Sequence, residues 1–144
     1  MRRVVLDTNV ILDCWVFDDS DARLLKAALA SRHVVAVRSA ETDAELDDVL
    51  ARPRFGLDAV ARRAILEQWQ AHATRVEVNG AAPVRCADPH DQKFLDLALA
   101  AQASALFTKD KALLATATHA MRHGVIVLTP RAARSVLFLE DDVA

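Results

Sequence analysis

Arg3-Val4-Val5-Leu6-Asp7-Thr8-Asn9-Val10-Ile11-Leu12 is the stretch on which the reading of this chain turns. Val4 to Leu6 is a short β-prone run, and Asp7 ends it. With apolar residues on both sides, that carboxylate faces a large desolvation cost unless it is paired, hydrogen-bonded or metal-bound. The end of a first strand is also where open α/β sheets place their sites. The plainer alternative is a helix cap, with Asp7 or Asn9 capping the segment that follows. Thr8 and Asn9 shape the turn, and either adds a contact to a site.

Working outward, four more β-prone runs occur at Val34–Val37, Arg75–Val78, Ala105–Phe107 and Val125–Leu128. Helical patterns separate most of them. One-sided apolar stripes predict helices over Ser20–Ser31, Ala40–Ala51, Leu57–Thr74 and Asp91–Ala103, a helix that is broken in two over Lys111–His123, and a last one starting at Pro130. Loops fall at Arg52-Pro53-Arg54-Phe55-Gly56 and Asn79-Gly80-Ala81-Ala82-Pro83. The alternation is the signature of a parallel sheet covered on both faces. The 144 residues, 53% apolar, suffice for one domain with a real core, read as spanning 1–144 with 139–144 as a frayed acidic tail.

A net charge of -2 gives no global signal for nucleic acid, although 18 Lys and Arg leave room for a local basic groove. Cys14 and Cys86 are the two cysteines and form no zinc spacing, so they read as reduced thiols of a cytoplasmic protein. No apolar run is long enough to span a membrane. The chain enters a strand-like run at once, which predicts no signal peptide.

Three further acids occupy places that need a reason. Asp110 follows the run Leu106-Phe107-Thr108, repeating the arrangement at Asp7, and parallel neighbours would bring the two strand ends together. Its alternative is an N-cap. Glu45 leans toward the sheet, beside Leu46 and one turn before Val49. Its alternative is a capping box, Thr42-Asp43-Ala44-Glu45. Asp91 opens a helix after Asp88-Pro89-His90, and capping again accounts for both aspartates. Asp88 and Asp96 are weaker candidates, and Asp13 is a peripheral acid. Oxygen donors suit Mg²⁺ or Mn²⁺ rather than zinc. His119 and His123 share a helix face, but the five histidines show no ligand motif. There is no Walker loop and no dinucleotide fingerprint in a chain with three glycines.

Clustered carboxylates raise one another's pKa, and a divalent cation relieves this. The cation would also make water a stronger acid and neutralise a phosphate under in-line attack. The chemistry expected is therefore phosphodiester hydrolysis. Arg38, Arg52, Arg54 and Lys109 are candidates to hold a nucleic-acid backbone, with ordinary surface charge as the alternative. Trp15 and Phe17 read as core or interface rather than as base-stacking platforms, because no basic–aromatic interleaving surrounds them.

At these residues the chain resembles the PIN-domain family. The matching stretches are Val5-Leu6-Asp7-Thr8-Asn9-Val10, then Thr42-Asp43-Ala44-Glu45-Leu46 through Val49-Leu50-Ala51-Arg52-Pro53. They continue with Asp88-Pro89-His90-Asp91-Gln92-Lys93-Phe94-Leu95 and Leu97-Ala98-Leu99-Ala100, then Thr108-Lys109-Asp110 with Leu113-Leu114. Its nearest group is the bacterial toxin components of toxin–antitoxin pairs. The resemblance implies a three-layer α/β/α sandwich with a central, mostly parallel, five-stranded sheet. It implies a Mg²⁺- or Mn²⁺-dependent ribonuclease, often dimeric, acting on single-stranded or structured RNA and often neutralised by a small antitoxin protein. The family's acidic quartet carries over to Asp7, Glu45, Asp91 and Asp110, and its polar position after the first aspartate to Thr8 and Asn9. Thr108, Lys109 and Asp88 are supporting candidates. The family often has glycine where Lys109 stands and a second acid where His90 stands. Lys109 then pairs with a carboxylate or contacts substrate, and His90 removes a supporting charge.

Two rivals remain at this stage. A haloacid-dehalogenase-like phosphohydrolase also begins with a strand-end aspartate, but Asp7-Thr8-Asn9-Val10-Ile11 lacks its second acid and its threonine. A non-catalytic PIN-like fold that only binds protein or RNA would keep the carboxylates without turnover.

Overall fold

The computed structural model describes residues 2–137. Its centre is a five-stranded sheet of β1 (Arg2–Leu6), β2 (Val34–Arg38), β3 (Ala73–Arg75), β4 (Ala105–Phe107) and β5 (Ile126–Leu128). The order is β3-β2-β1-β4-β5, and every pairing is parallel. Helices are α1 (Thr8–Trp15), α2 (Arg23–Ala30), α3 (Ala40–Leu50), α4 (Ala59–Ala71), α5 (Gln92–Ala100), α6 (Lys111–Leu114), α7 (Ala117–Met121) and α8 (Arg134–Leu137). The expected tail at 139–144 lies outside the described residues.

Both faces of the sheet are buried, which is why its strands are almost continuously apolar. Val4 and Leu6 face one core with Ala36, Ala105 and Phe107, closed by apolar residues of α1 to α4 and α8. Val5 faces the other core with Val37 and Leu106, closed by Phe94, Leu95 and Ala98 of α5 and Leu113 of α6. Helix, sheet and helix form the three layers. Trp69 of α4 is 2% exposed, and its ring meets Trp15 of α1 edge-on at 5.6 Å.

The strand order places the site. From β1 the chain builds outward to β2 and β3, then crosses back to add β4 and β5 on the other side of β1. Such a reversal opens a crevice at the carboxyl ends of the central strands. Leu6 lies opposite Phe107 in the ladder, and the Asp7 amide donates to the Phe107 carbonyl at 3.0 Å. The residues that follow β1 and β4 are thereby neighbours.

Three elements differ from the sequence reading. β3 spans Ala73–Arg75 rather than Arg75–Val78. Its partner β2 ends at Arg38, and after the Val76 amide donates to the Arg38 carbonyl at 2.8 Å no partner remains for Val78. α4 is shorter than the expected Leu57–Thr74 helix: Asp58 caps its start, accepting from the Ala61 amide at 2.8 Å, and its last expected residues become β3. α1 is an additional helix, beginning directly after β1. Helix 111–123 breaks in two as expected, and Thr116 at the break turns its hydroxyl back to the Leu113 carbonyl at 2.6 Å. Among the described residues, no helix is long and apolar enough to cross a membrane.

Candidate active site

Asp7 is the N-cap of α1, but capping uses only one of its oxygens. Oδ1 accepts from the Val10 amide at 3.0 Å, and Oδ2 accepts from the Thr108 hydroxyl. The residue is 4% exposed. Burial pushes its pKa up to about 6; the two hydrogen bonds oppose this, and the charges of Asp110 and Glu45 add to it.

Thr108, fully buried, joins the two strand ends: its oxygen also accepts from the Asp110 amide at 2.9 Å. Asp110 occupies the N-cap position of α6 yet makes no side-chain cap bond, so capping does not explain it. Its Oδ2 is buried without a hydrogen-bond partner. Asp91 likewise stands at the start of α5 without capping it. Asp91 is pushed up to about 7, first by burial, then by the adjacent Asp110 carboxyl and by the charges of Asp88 and Asp7.

Glu45 is freed by a shift in the capping box. The box on α3 is Ser39 with Thr42, whose side chains and amides exchange bonds of 2.9 and 3.2 Å. The Thr42–Glu45 box, the alternative to a site role for Glu45, does not form, because α3 begins at Ala40 and Glu45 lies in its second turn. The Glu45 carboxylate instead accepts from the Thr8 hydroxyl and, at 2.7 Å, from the Lys93 ammonium. Sequence reasoning missed Lys93. It lay inside a quoted motif, but 48 residues separate it from Glu45 and no local spacing links them.

These four acids line one cleft of about 360 Å³, with Thr8, Asn9, Arg52, Arg54 and Lys109 on its walls. Lys109 pairs with the buried Asp13 at 2.6 Å, which raises its pKa and gives that peripheral acid its partner. Arg38 is elsewhere, bonded to Asp43 at 2.6 Å and to the Ala73 carbonyl, because β2 ends with its side chain against α3. Asp88 caps the turn before α5 through the His90 amide at 3.0 Å, and Asp96 holds the Ala82 amide and Gln92; neither lines the cleft. His119 and His123 do not share a helix face, because α7 ends at Met121 and His123 lies in the turn that follows, though their ring centres are 5.3 Å apart. Cys14 and Cys86 are buried free thiols whose pKa burial raises, which disfavours the reactive thiolate.

A family model described as PIN domain matches residues 3–112. The chain belongs to the PIN-domain family. This PIN domain also shares its fold with a chain from the crystal structure of VapBC2 from Rickettsia felis bound to a DNA fragment from their promoter. That likeness has a TM-score of 0.60 at 13% identity, covering 87% of this chain and 96% of that one. No curated protein gives a significant match.

The family implies a divalent metal. Among the described residues, no three acidic, histidine or cysteine side chains close around an ion as they stand. The donor chemistry nevertheless fits one: all the candidates are hard oxygens, Asp110 Oδ2 is buried and partnerless, and Asp7 and Asp91 are held above the usual carboxylate range by burial first and by neighbouring carboxylates second.

Proposed function

We propose that this PIN domain is a Mg²⁺- or Mn²⁺-dependent endoribonuclease, acting as the toxin of a toxin–antitoxin pair. The observation that carries the reading is the partnerless, buried Oδ2 of Asp110 beside two carboxylates with raised pKa, at the crevice between β1 and β4.

Asp7, Asp91 and Asp110 would hold the cation, with Thr108 fixing Asp7 relative to Asp110. When bound, the cation supplies Lewis acidity, acidifying water and neutralising charge on the phosphate. Glu45, steered by Thr8 and Lys93, orients the attacking water and accepts its proton. Arg52 and Arg54 hold the phosphate backbone from the cleft wall. Asn9 sits at the exposed rim, where its amide meets the substrate.

The test is cleavage of mixed-sequence single-stranded RNA with Mn²⁺ or Mg²⁺, comparing wild type, EDTA-treated protein and Asp7→Asn. Cleavage lost in both controls supports the reading. A folded protein that takes up no metal sinks it. The toxin role is tested separately by growth arrest on expression, relieved by a co-expressed small antitoxin; the fold shared with a VapBC2 chain motivates that experiment. Size-exclusion with light scattering tests the accompanying proposal of a homodimer.

Because the carboxylates do not close around an ion as they stand, a binding-only PIN fold is the second reading. RNA binding without cleavage by metal-loaded protein would select it.

A further inference from the structure

Phe17, read from sequence as core or interface rather than as a base-stacking platform, is 57% exposed and therefore not core. Its ring centre lies 6.0 Å from that of Phe55, with the planes inclined at 46°. The Arg54 guanidinium sits over the Phe55 ring at 4.8 Å. With Asn9 and Leu12 these side chains line an open cleft of about 390 Å³. This cleft shares Asn9 and Arg54 with the acidic cleft, so the two adjoin.

We propose that Phe17, Phe55 and Arg54 form a stacking platform for one unpaired base of the RNA, next to the phosphate under attack. The proposal rests on the nuclease reading and narrows its substrate to single-stranded RNA. A strand with a phosphate at Asp7 would pass Asn9 and Arg54 and deliver its neighbouring base to the rings. Aromatic faces and guanidinium planes bind unstacked bases in this way without reading sequence. A base inside a duplex has both faces covered and is excluded.

The platform is held in place by backbone. Phe55 ends a 3-10 turn whose first residue is Pro53, and its amide donates to the Arg52 carbonyl at 3.1 Å. Gly56, at φ +61, closes that turn in a conformation that favours glycine. The Phe17 amide donates to the Leu12 carbonyl at 2.9 Å, fixing it to the end of α1. A backbone fixed before binding loses little entropy when a base arrives. Arg54 supplies charge complementarity to the phosphate, which favours a nucleic acid over an apolar protein segment.

The experiment measures binding of a labelled, short single-stranded oligoribonucleotide to Asp7→Asn protein by fluorescence anisotropy, with and without Phe17→Ala. Circular dichroism checks that each variant folds. Affinity should fall about tenfold on Phe17→Ala and return with Phe17→Trp. One abasic nucleotide, moved along the strand, should reproduce the loss at a single position and there make Phe17→Ala silent. Unchanged binding, or a loss that no abasic position abolishes, overturns the proposal. So does a switch from dimer to monomer in sedimentation without a position-specific base effect, which would mark a contact between copies. If Phe17→Ala in the otherwise wild-type chain binds and cleaves RNA normally, the platform fails and the nuclease stands. If wild type neither binds nor cleaves RNA, the nuclease reading fails first.

Discussion

The Lys93 ammonium lies 2.7 Å from Glu45 Oε1, joining the start of α5 to the second turn of α3 across the candidate active site. Both side chains are mostly enclosed, at 17% and 25% exposure, so the pair is shielded from bulk water more than a surface bridge is. Lys93 is anchored in turn by the His90 carbonyl. Glu45 is thereby held by a cation on one side and the Thr8 hydroxyl on the other.

Lys93→Met should lower kcat between about tenfold and about a hundredfold by loosening Glu45, with little change in KM. Lys93→Arg should recover part of the loss. Steady-state RNA cleavage checks this, and a change confined to KM would mean that Lys93 binds substrate instead.

Metal-free protein should lose stability as pH rises. Asp7 binds its proton more tightly folded than unfolded, with a pKa of about 6 against 3.8. Its contribution is complete below pH 4 and is lost as pH climbs through 6, by roughly 3 kcal/mol if the whole shift is expressed. Asp91, at about 7, extends the decline in the same direction. Asp7→Asn should therefore stabilise the metal-free protein at pH 7 while abolishing cleavage. Urea unfolding between pH 4 and 8 in EDTA decides it; a flat profile would refute the burial argument.

Mn²⁺ or Mg²⁺ should reverse that penalty. At a concentration about a hundredfold above Kd, the gain is about 2.7 kcal/mol. Asp110→Asn should weaken or remove it, since the partnerless Oδ2 is the atom most in need of a cation. Thermal melts with metal and with EDTA measure both effects, and an equal shift in Asp110→Asn would place the ion elsewhere.

Thr108→Val should cost about 1–3 kcal/mol at nearly constant shape, because the Asp110 amide and Asp7 Oδ2 both lose a partner. Thr108→Ser should retain most of the stability. Chemical denaturation of the two variants separates loss of the hydroxyl from loss of packing.

Much of this PIN domain is decided by local sequence. Strand-like runs alternating with helical stripes fix the α/β class, because each segment's apolar periodicity depends only on its own residues. Asp7 and Asp110 are legible for the same reason: a carboxylate that ends an apolar run is costly wherever the chain goes. The pairing of those two acids was not legible without the strand order, which brings Leu6 opposite Phe107. At Glu45 local pattern left a capping box with Thr42 open as the alternative to a site role, and only the start of α3, which pairs Ser39 with Thr42, decided between them. Of the strand expected at Arg75–Val78 only Arg75 joins the ladder, opposite Arg38, where β2 ends. Lys93 beside Glu45, Arg38 turned away toward Asp43, and Phe17 exposed beside Phe55 all depend on contacts between distant segments. Sequence by itself determined which segments form and where buried charge must be answered. Tertiary structure alone decided which charges and rings meet, because a contact across 48 residues is set by how helices pack on the sheet and leaves no periodicity in the chain.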